Sequence, residues 1–335
     1  MAMSKPNAIL VIRFSSLGDC LLLGPVLRGL RKRFPSHRIL WLTKQLNRDI
    51  WEQSFVVDDV IVWDGNDESI LKKLQTEYAI EYTLDLQASP RSRRFTKKFR
   101  TSHQTEAAPP RLRRFLQIHL RGEWLQAEEP VPLRYLSAAK LWGVADDGLG
   151  LQLPVDESEL RSLQVLPGYG TWVGIAPGAK HFTKRWPSEY YIALAKRLQE
   201  SGVSILWIIG PEEANWLSLL DSELPGWQTR HAVTYPFYSI KKLIAAVSVC
   251  KAVVTNDSAV MHIAAGTHRP GIALFGPTIQ QFGFAPFRSK LEVVEQSLDC
   301  RPCSAHGTPE CPLGHHRCMR DVSVDNVWRR LQLFL

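Results

Sequence analysis

The sequence predicts an α/β protein made of two similar halves, each a parallel sheet with helices on both faces. Three observations lead there. The chain has 335 residues, too many for one average domain and comfortable for two of roughly 150. Short apolar runs of strand length alternate with helical stretches, the βα rhythm of a parallel sheet. That rhythm fades across Pro154–Gly170, a stretch with Pro, Gly and acidic residues, and then starts again.

In the first half, Ala8–Arg13, Arg38–Thr43, Val57–Trp63 and Ile80–Leu86 have the length and apolar content of buried strands. Gly18–Phe34, Asn47–Phe55 and Glu68–Tyr78 are the expected helices. Pro90–Pro132 breaks the pattern; it is rich in Arg and Lys, contains Pro109-Pro110, and reads as helices and loops flanking the first sheet. In the second half, Thr171–Ala176, Val203–Gly210, Ala252–Asn256 and Gly271–Phe275 are the expected strands. Pro187–Gln199, Glu212–Leu220, Ser239–Val249 and Ser258–Ala265 are the helices between them. Leu291–Glu295 is a last strand, and Asp325–Phe334 a terminal helix that can pack back on the first domain. Boundaries at 1–165 and 166–335 follow. Ligands of open parallel sheets bind at the carboxyl ends of the strands. Two such domains facing each other make a cleft, a favoured place for a ligand.

Composition narrows the partners. The formal net charge is +8, which attracts polyanions such as nucleic acid, phosphorylated glycans or an anionic membrane face. Six Cys in a chain this long do not suggest a disulfide scaffold. The apolar run Ala8–Ile12 is stopped by Arg13, no signal peptide is visible, and no run approaches the length of a membrane span. A cytoplasmic location with free thiols is expected, any membrane role being peripheral.

Several strand ends carry residues with chemistry. Arg13-Phe-Ser-Ser-Leu-Gly-Asp19 follows the first strand and opens the first helix. Ser15, Ser16 and Gly18 let a backbone approach a ligand closely. Asp19 falls in the first helical turn, where Asp is a favoured cap and where it could also serve as a general base. Ala176-Pro-Gly-Ala-Lys-His-Phe-Thr-Lys-Arg-Trp-Pro187 follows the first strand of the second half. Thr183, Lys184 and Arg185 could grip a phosphate; a solvated basic loop is the plainer alternative. Asn256-Asp257-Ser258 leads from a strand into a helix whose free amides suit a diphosphate, although Asp257 or Ser258 could simply cap it. His262 on that apolar helix suits a packed core histidine by itself. Glu212 or Glu213, after Gly210-Pro211, could hold ribose hydroxyls or be a surface acid. Gly276 and Thr278 could line the same place or form a tight turn. Neither half carries G-x-G-x-x-G or G-K-[ST], so a dehydrogenase or a Walker-type ATPase has no support.

Two further segments stand out. Arg91–Arg121 holds ten Arg and Lys, among them Arg91, Arg93, Arg94, Arg113 and Arg114, against the single acid Glu106. That imbalance favours a polyanion contact, and the interleaved Phe95, Phe99 and Phe115 would also suit a membrane surface. Cys300-x2-Cys303-x7-Cys311-x6-Cys318 opens with zinc-ligand spacing but lacks a second C-x2-C. Free or buried thiols are the default there, with a structural zinc as the alternative.

In their order and spacing, Arg13–Asp19, Lys184–Pro187, Asn256–His262 and Cys311–Met319 resemble glycosyltransferase family 9, the bacterial lipopolysaccharide heptosyltransferases; the Cys-rich tail is most like the heptosyltransferase II branch. The resemblance implies a GT-B fold: two Rossmann-like domains with parallel sheets facing across a cleft, acceptor on the first and nucleotide sugar on the second. It implies inversion at the anomeric carbon without a metal, in keeping with the absence of any Asp-x-Asp, and no cofactor beyond ADP-heptose as donor substrate. By the family pattern Asp19 is the base and Lys184 contacts the donor phosphates, with Thr183, Arg185 and Ser258 beside it. Asp257, Met261 and His262 fall on the nucleotide segment, and Glu212 or Glu213 near the ribose-binding acid. Ser15, Ser16 and the arginines of the basic stretch are expected on the acceptor, an anionic lipopolysaccharide inner core at the cytoplasmic face of the inner membrane. The rivals are the same fold moving another sugar and a module that binds nucleotides or glycans without chemistry. Nucleic-acid binding would leave the strand-end segments without a role.

Overall fold

A computed structural model describes residues 5–52, 54–98, 101–120, 127–164, 166, 169–210, 213–229, 232–233 and 239–335. The chain divides into two compact units: Met1–Pro110 with Glu129–Pro154, and Arg111–Glu128 with Val155–Leu335. The change-over lies at Pro154, at the start of the Pro- and Gly-containing stretch instead of at residue 165. Segment Arg111–Glu128 leaves sequence order and groups with the second unit, which only long-range contacts decide.

The first unit holds a five-stranded parallel sheet of β1 (Asn7–Ile12), β2 (Arg38–Thr43), β3 (Asp59–Val62), β4 (Ala79–Asp85) and β5 (His103–Glu106), in the order β3-β2-β1-β4-β5. The apolar runs supply β1 to β4. β5 is His-Gln-Thr-Glu and mostly exposed; an edge strand paired on one side needs no apolar alternation, so periodicity does not reveal it. The helix expected over Gly18–Phe34 is two, Leu17–Leu21 and Gly24–Arg33. Pro25 has no N–H to bond back, and Gly24 lies so close to the Leu151 carbonyl that a Cβ would come within 1.9 Å of it. The helix expected over Asn47–Phe55 is a 3-10 turn, Gln45–Ile50. Leu10, Ile12, Leu40, Leu42, Ile61, Leu74 and Phe95 form the core between sheet and helices.

The second unit holds a six-stranded parallel sheet: β6 (Val173–Ala176), β7 (Ile205–Trp207), β8 (Ala232–Val233), β9 (Ala252–Asn256), β10 (Gly271–Phe275) and β11 (Leu291–Glu295), ordered β11-β10-β9-β6-β7-β8. β8 is two residues long and leaves no periodic trace. Trp186, Tyr191, Trp207, Trp216, Val254 and Leu274 fill the core. The terminal helix Val324–Leu331 inserts Val327 and Leu331 into that same core, against β10 and the helix Ser188–Glu200.

In both sheets the order reverses beside the first strand, between β1 and β4 and between β6 and β9. Connections leaving such a pair run over opposite faces and open a crevice at the carboxyl ends. Asp19 of the first unit, and Lys184, Asp257 and Ser258 of the second, follow the strands at these two places.

Candidate active site

In the first unit the chain turns at Arg13–Ser16, directly after β1. Gln87, just past β4, accepts from the backbone N–H groups of Phe14 and Ser15 at 3.0 and 3.1 Å. Buried Asn47 donates to the Phe14 carbonyl at 3.0 Å. The turn is therefore clamped from both sides. Ser15 is half-buried and Ser16 exposed.

Ser16 is the N-cap of the helix Leu17–Leu21, and Asp19 reaches back to it as the acidic member of a capping box. Asp19 Oδ2 accepts from the Ser16 N–H at 3.1 Å and from the Ser16 hydroxyl at 2.7 Å, and it meets the Arg13 guanidinium at 2.7 Å. Among the described residues Oδ1 has one long contact, from the hydroxyl of buried Tyr135 at 3.5 Å. One oxygen thus carries the cap and the ion pair, and the other is left with a weak contact. Burial pushes the Asp19 carboxyl up, but Arg13 and the Ser16 bonds outweigh it and hold the group below the ordinary carboxylate range. Burial works against the Arg13 charge as well, and Tyr135 and Asp19 more than restore it.

The basic stretch is divided between the units. Arg91, Arg93 and Arg94 ride on the helix Pro90–Lys98 of the first. The Arg91 guanidinium lies 4.6 Å from the Trp63 ring centroid, Arg93 grips Glu106 at 2.9 and 2.8 Å, and Arg94 is exposed. Arg113 and Arg114 belong to the helix Arg111–Leu120 of the second unit. Arg114, expected toward the acceptor, is buried and closed in by Glu128 at 2.9 and 2.7 Å. Arg100, Arg121 and Phe99 of that stretch, and Glu212, lie outside the described residues.

In the second unit, the segments following β6, β9 and β10 converge. Lys184 Nζ meets Asp257 Oδ2 at 2.6 Å, both side chains being largely buried. The Thr278 hydroxyl donates to the same oxygen at 2.7 Å. Ser258 is the N-cap of the helix Ala259–Gly266 and lies 3.3 Å, hydroxyl to hydroxyl, from Thr255. Met261 and His262 are buried on that helix. Glu213 accepts from the Gly210 N–H at 3.1 Å, and a Cβ on Gly178 would stand 2.7 Å from its carboxyl.

Thr183 and Arg185 have structural partners. The Thr183 hydroxyl donates to the Thr308 carbonyl at 2.9 Å and accepts its N–H at 2.8 Å; Arg185 Nε donates to the Ala179 carbonyl at 2.7 Å. His316 Nε2 donates to the Thr183 carbonyl at 3.0 Å, and burial lowers the His316 pKa. Gly276 is wedged in the same place, where a Cβ would meet Met319 Sδ at 2.7 Å and the Thr183 carbonyl at 2.9 Å. The Cys-rich tail therefore braces the Thr183–Lys184 turn. Cys300, Cys303, Cys311 and Cys318 are free thiols, with burial pushing Cys318 up to about 12. Among the described residues no group of three or more His, Cys, Asp or Glu is arranged to hold a metal.

Three supporting residues have no role assigned by a reading of motifs alone. Asn256 accepts from the Trp186 N–H at 3.1 Å and the Tyr191 hydroxyl at 3.0 Å, and donates to the Pro177 carbonyl at 2.8 Å, so it ties β9 to the loop after β6. Arg301 donates to the carbonyls of Gly276, Gln296 and Thr278 and pairs with Glu295 at 2.6 Å, locking the segment after β10. Tyr135 reaches Asp19 from a distant helix, Val131–Ala138. Asn256 at least stood inside a motif; Arg301 and Tyr135 carried no pattern.

Two parallel sheets with polar and charged residues collected at their switch points define an α/β protein of the GT-B type, and solved structures share that fold. E. coli ADP-heptose lps heptosyltransferase II superposes with a TM-score of 0.77 over 98% of each chain at 22% identity. E. coli heptosyltransferase WaaC with ADP-2-deoxy-2-fluoro heptose gives 0.70 over 97% of this chain and 99% of that one, at 18% identity. Among curated proteins, lipopolysaccharide heptosyltransferase 2 of Salmonella typhimurium is 32% identical over 193 residues, 55% of this chain and 53% of that protein. The chain spans about half the length of the curated relatives it matches. The model of glycosyltransferase family 9 (heptosyltransferase) matches residues 69–313, and the chain belongs to that family.

Proposed function

We propose that the protein transfers heptose from ADP-heptose to the inner core of lipopolysaccharide, with inversion at the anomeric carbon and without a metal, at the cytoplasmic face of the inner membrane. The observation that carries the reading is the meeting of Lys184, Asp257 and Thr278 beside the helix Ala259–Gly266. A cation held by a carboxylate next to outward-pointing helix amides is suited to a diphosphate.

In this mechanism Asp19 Oδ1 takes the proton of an acceptor hydroxyl. The oxygen attacks the anomeric carbon from the face opposite the diphosphate, and ADP leaves. Lys184 and the amides after Ser258 stabilise the charge that grows on the departing phosphate. Ser258 and Thr278 complete the phosphate side; Asp257, Met261 and His262 flank the nucleotide, with Glu213 near the ribose. Ser15, Ser16, Arg94 and Arg113 serve the acceptor. The capping bonds of Asp19 Oδ2 keep Oδ1 in one orientation, which a positioned base requires.

A panel of nucleotide sugars with a defined truncated core, read by nucleoside diphosphate release and by the anomeric configuration of the product, tests this. ADP release with ADP-heptose, an inverted product and insensitivity to chelator are expected. Release with another donor would retain the fold's chemistry and change the sugar; donor binding without release would make the protein a binding module.

A further inference from the structure

The helix Arg111–Leu120, Arg-Leu-Arg-Arg-Phe-Leu-Gln-Ile-His-Leu, is inside out. Its buried residues are Arg114 and Gln117, one turn apart. Leu112, Phe115 and Leu120 are 73%, 56% and 57% exposed. A helix packed on a protein in water normally turns its apolar stripe inward.

The inward side is specified. Arg114 is matched by Glu128 in a bidentate pair, donates to the Phe282 carbonyl at 3.2 Å, and stacks 4.9 Å from the Phe284 ring centroid. All of these lie in the second unit. A buried Arg without such partners is costly; with them it fixes which face of the helix points out. A scattered exposed leucine needs no explanation. Here Leu112, Phe115 and half-buried Leu116 follow at helical spacing, and the Phe115 ring rests 4.1 Å from that of His119. The helix carries no acid, and Arg111 at its start is exposed.

We propose that this face is a docking surface for an anionic lipid bilayer. Leu112, Phe115 and Leu120 enter the boundary between headgroups and acyl chains, while Arg111 meets lipid phosphates. An apolar stripe with an exposed Arg at its start and no carboxylate along its own helix fits such a surface. The placement deepens the function proposed above, whose acceptor is lipid-borne, but bilayer binding is measured without any transfer. Of the two interleaved aromatics among the described residues, Phe95 is buried in the first unit's core and Phe115 is presented.

The test is co-sedimentation of the full chain with vesicles of phosphatidylcholine, with and without phosphatidylglycerol. Binding to the anionic vesicles, weakened by salt, is expected. The triple variant Leu112→Ser, Phe115→Ser, Leu120→Ser should lose roughly tenfold or more in partitioning and keep its melting temperature, because those side chains are exposed. ADP release with a water-soluble acceptor should persist in the triple variant. Absent binding of the parent, or equal binding of the triple variant, overturns the docking surface. So does a shift from dimer to monomer in the variant with vesicle binding unchanged, which would make the face a contact between copies. Failure of ADP release in the parent with intact vesicle binding would instead remove the transferase reading and leave this one.

Discussion

Replacing Asp19 by Asn separates its two jobs. The amide retains one oxygen, which at the Oδ2 position still accepts both Ser16 bonds, now at 3.1 and 2.7 Å. Its NH₂ then faces the Tyr135 hydroxyl, which can accept. What disappears is the negative charge beside Arg13, a side chain only 12% exposed. Stranding a buried cation by deleting its partner costs about 3–5 kcal/mol; the surviving dipole and bonds bring this to about 1–3 kcal/mol. In a unit of this size the melting temperature should fall by about 2–4 °C per kcal/mol. Loss of a positioned base lowers turnover by about 10²–10⁴-fold, or about 2.7–5.5 kcal/mol of barrier. Calorimetry and ADP release at saturating donor and acceptor measure the two effects on one preparation. Ser16→Ala is the companion: it removes the capping hydroxyl, at about 1 kcal/mol, and keeps the carboxylate. It should share the stability loss and, at saturating acceptor, not the collapse in kcat, the lost acceptor contact of Ser16 showing in the KM for the acceptor instead. Wild-type turnover in a less stable Asp19→Asn would reduce Asp19 to a cap. An equal collapse of kcat in Ser16→Ala would show that loop order, not proton transfer, is what Asp19 supplies.

Three further outcomes follow from the same geometry. Lys184→Ala should lower kcat/KM for the donor by about 10²–10³-fold and weaken ADP binding in calorimetry; unchanged values would take Lys184 out of the donor site. Arg13→Gln removes the main influence holding Asp19 down, so burial raises its pKa. A carboxylate base acts only when ionised, so the acid limb of the kcat/KM profile should move to higher pH, whereas an unmoved limb would mean another group titrates. By linkage, the Asp19–Arg13 pair stabilises the fold above the unfolded Asp pKa, and that contribution is lost as pH falls through the lower folded value; the parent should show this acid-side loss and the Arg13→Gln variant should not. Gly276→Ala forces a Cβ against the Thr183 carbonyl, which cannot rotate away as a side chain can. About 1–3 kcal/mol of stability and part of the ADP affinity should go with it, and a variant as stable and as tight as the parent would show that the segment gives way freely.

Much of this protein is legible in its sequence because its determinants are local. An apolar run of strand length between helical stretches declares a buried parallel strand, and nine of the strands, β1 to β4, β6, β7 and β9 to β11, announce themselves so. The turns after them, Arg13–Asp19, Thr183–Pro187 and Asn256–Ser258, are read from residue types that stop strands and start helices. Polar β5 and two-residue β8 have no such signal, since edge pairing is satisfied by backbone alone. Other features exist only once distant segments meet. Lys184 and Asp257 are separated by 73 positions (257 − 184) and touch because β6 and β9 are neighbours. Arg114 reads as one more cation in a basic tract, yet its partner Glu128 and the loop of Phe282 take it out of solvent and turn Leu112 and Phe115 outward. A pattern of residue types reports what a segment prefers. Which oxygen of Asp19 is occupied, which arginine is matched, and which face of a helix is left bare are set by contacts between segments, and those contacts have no period in the chain.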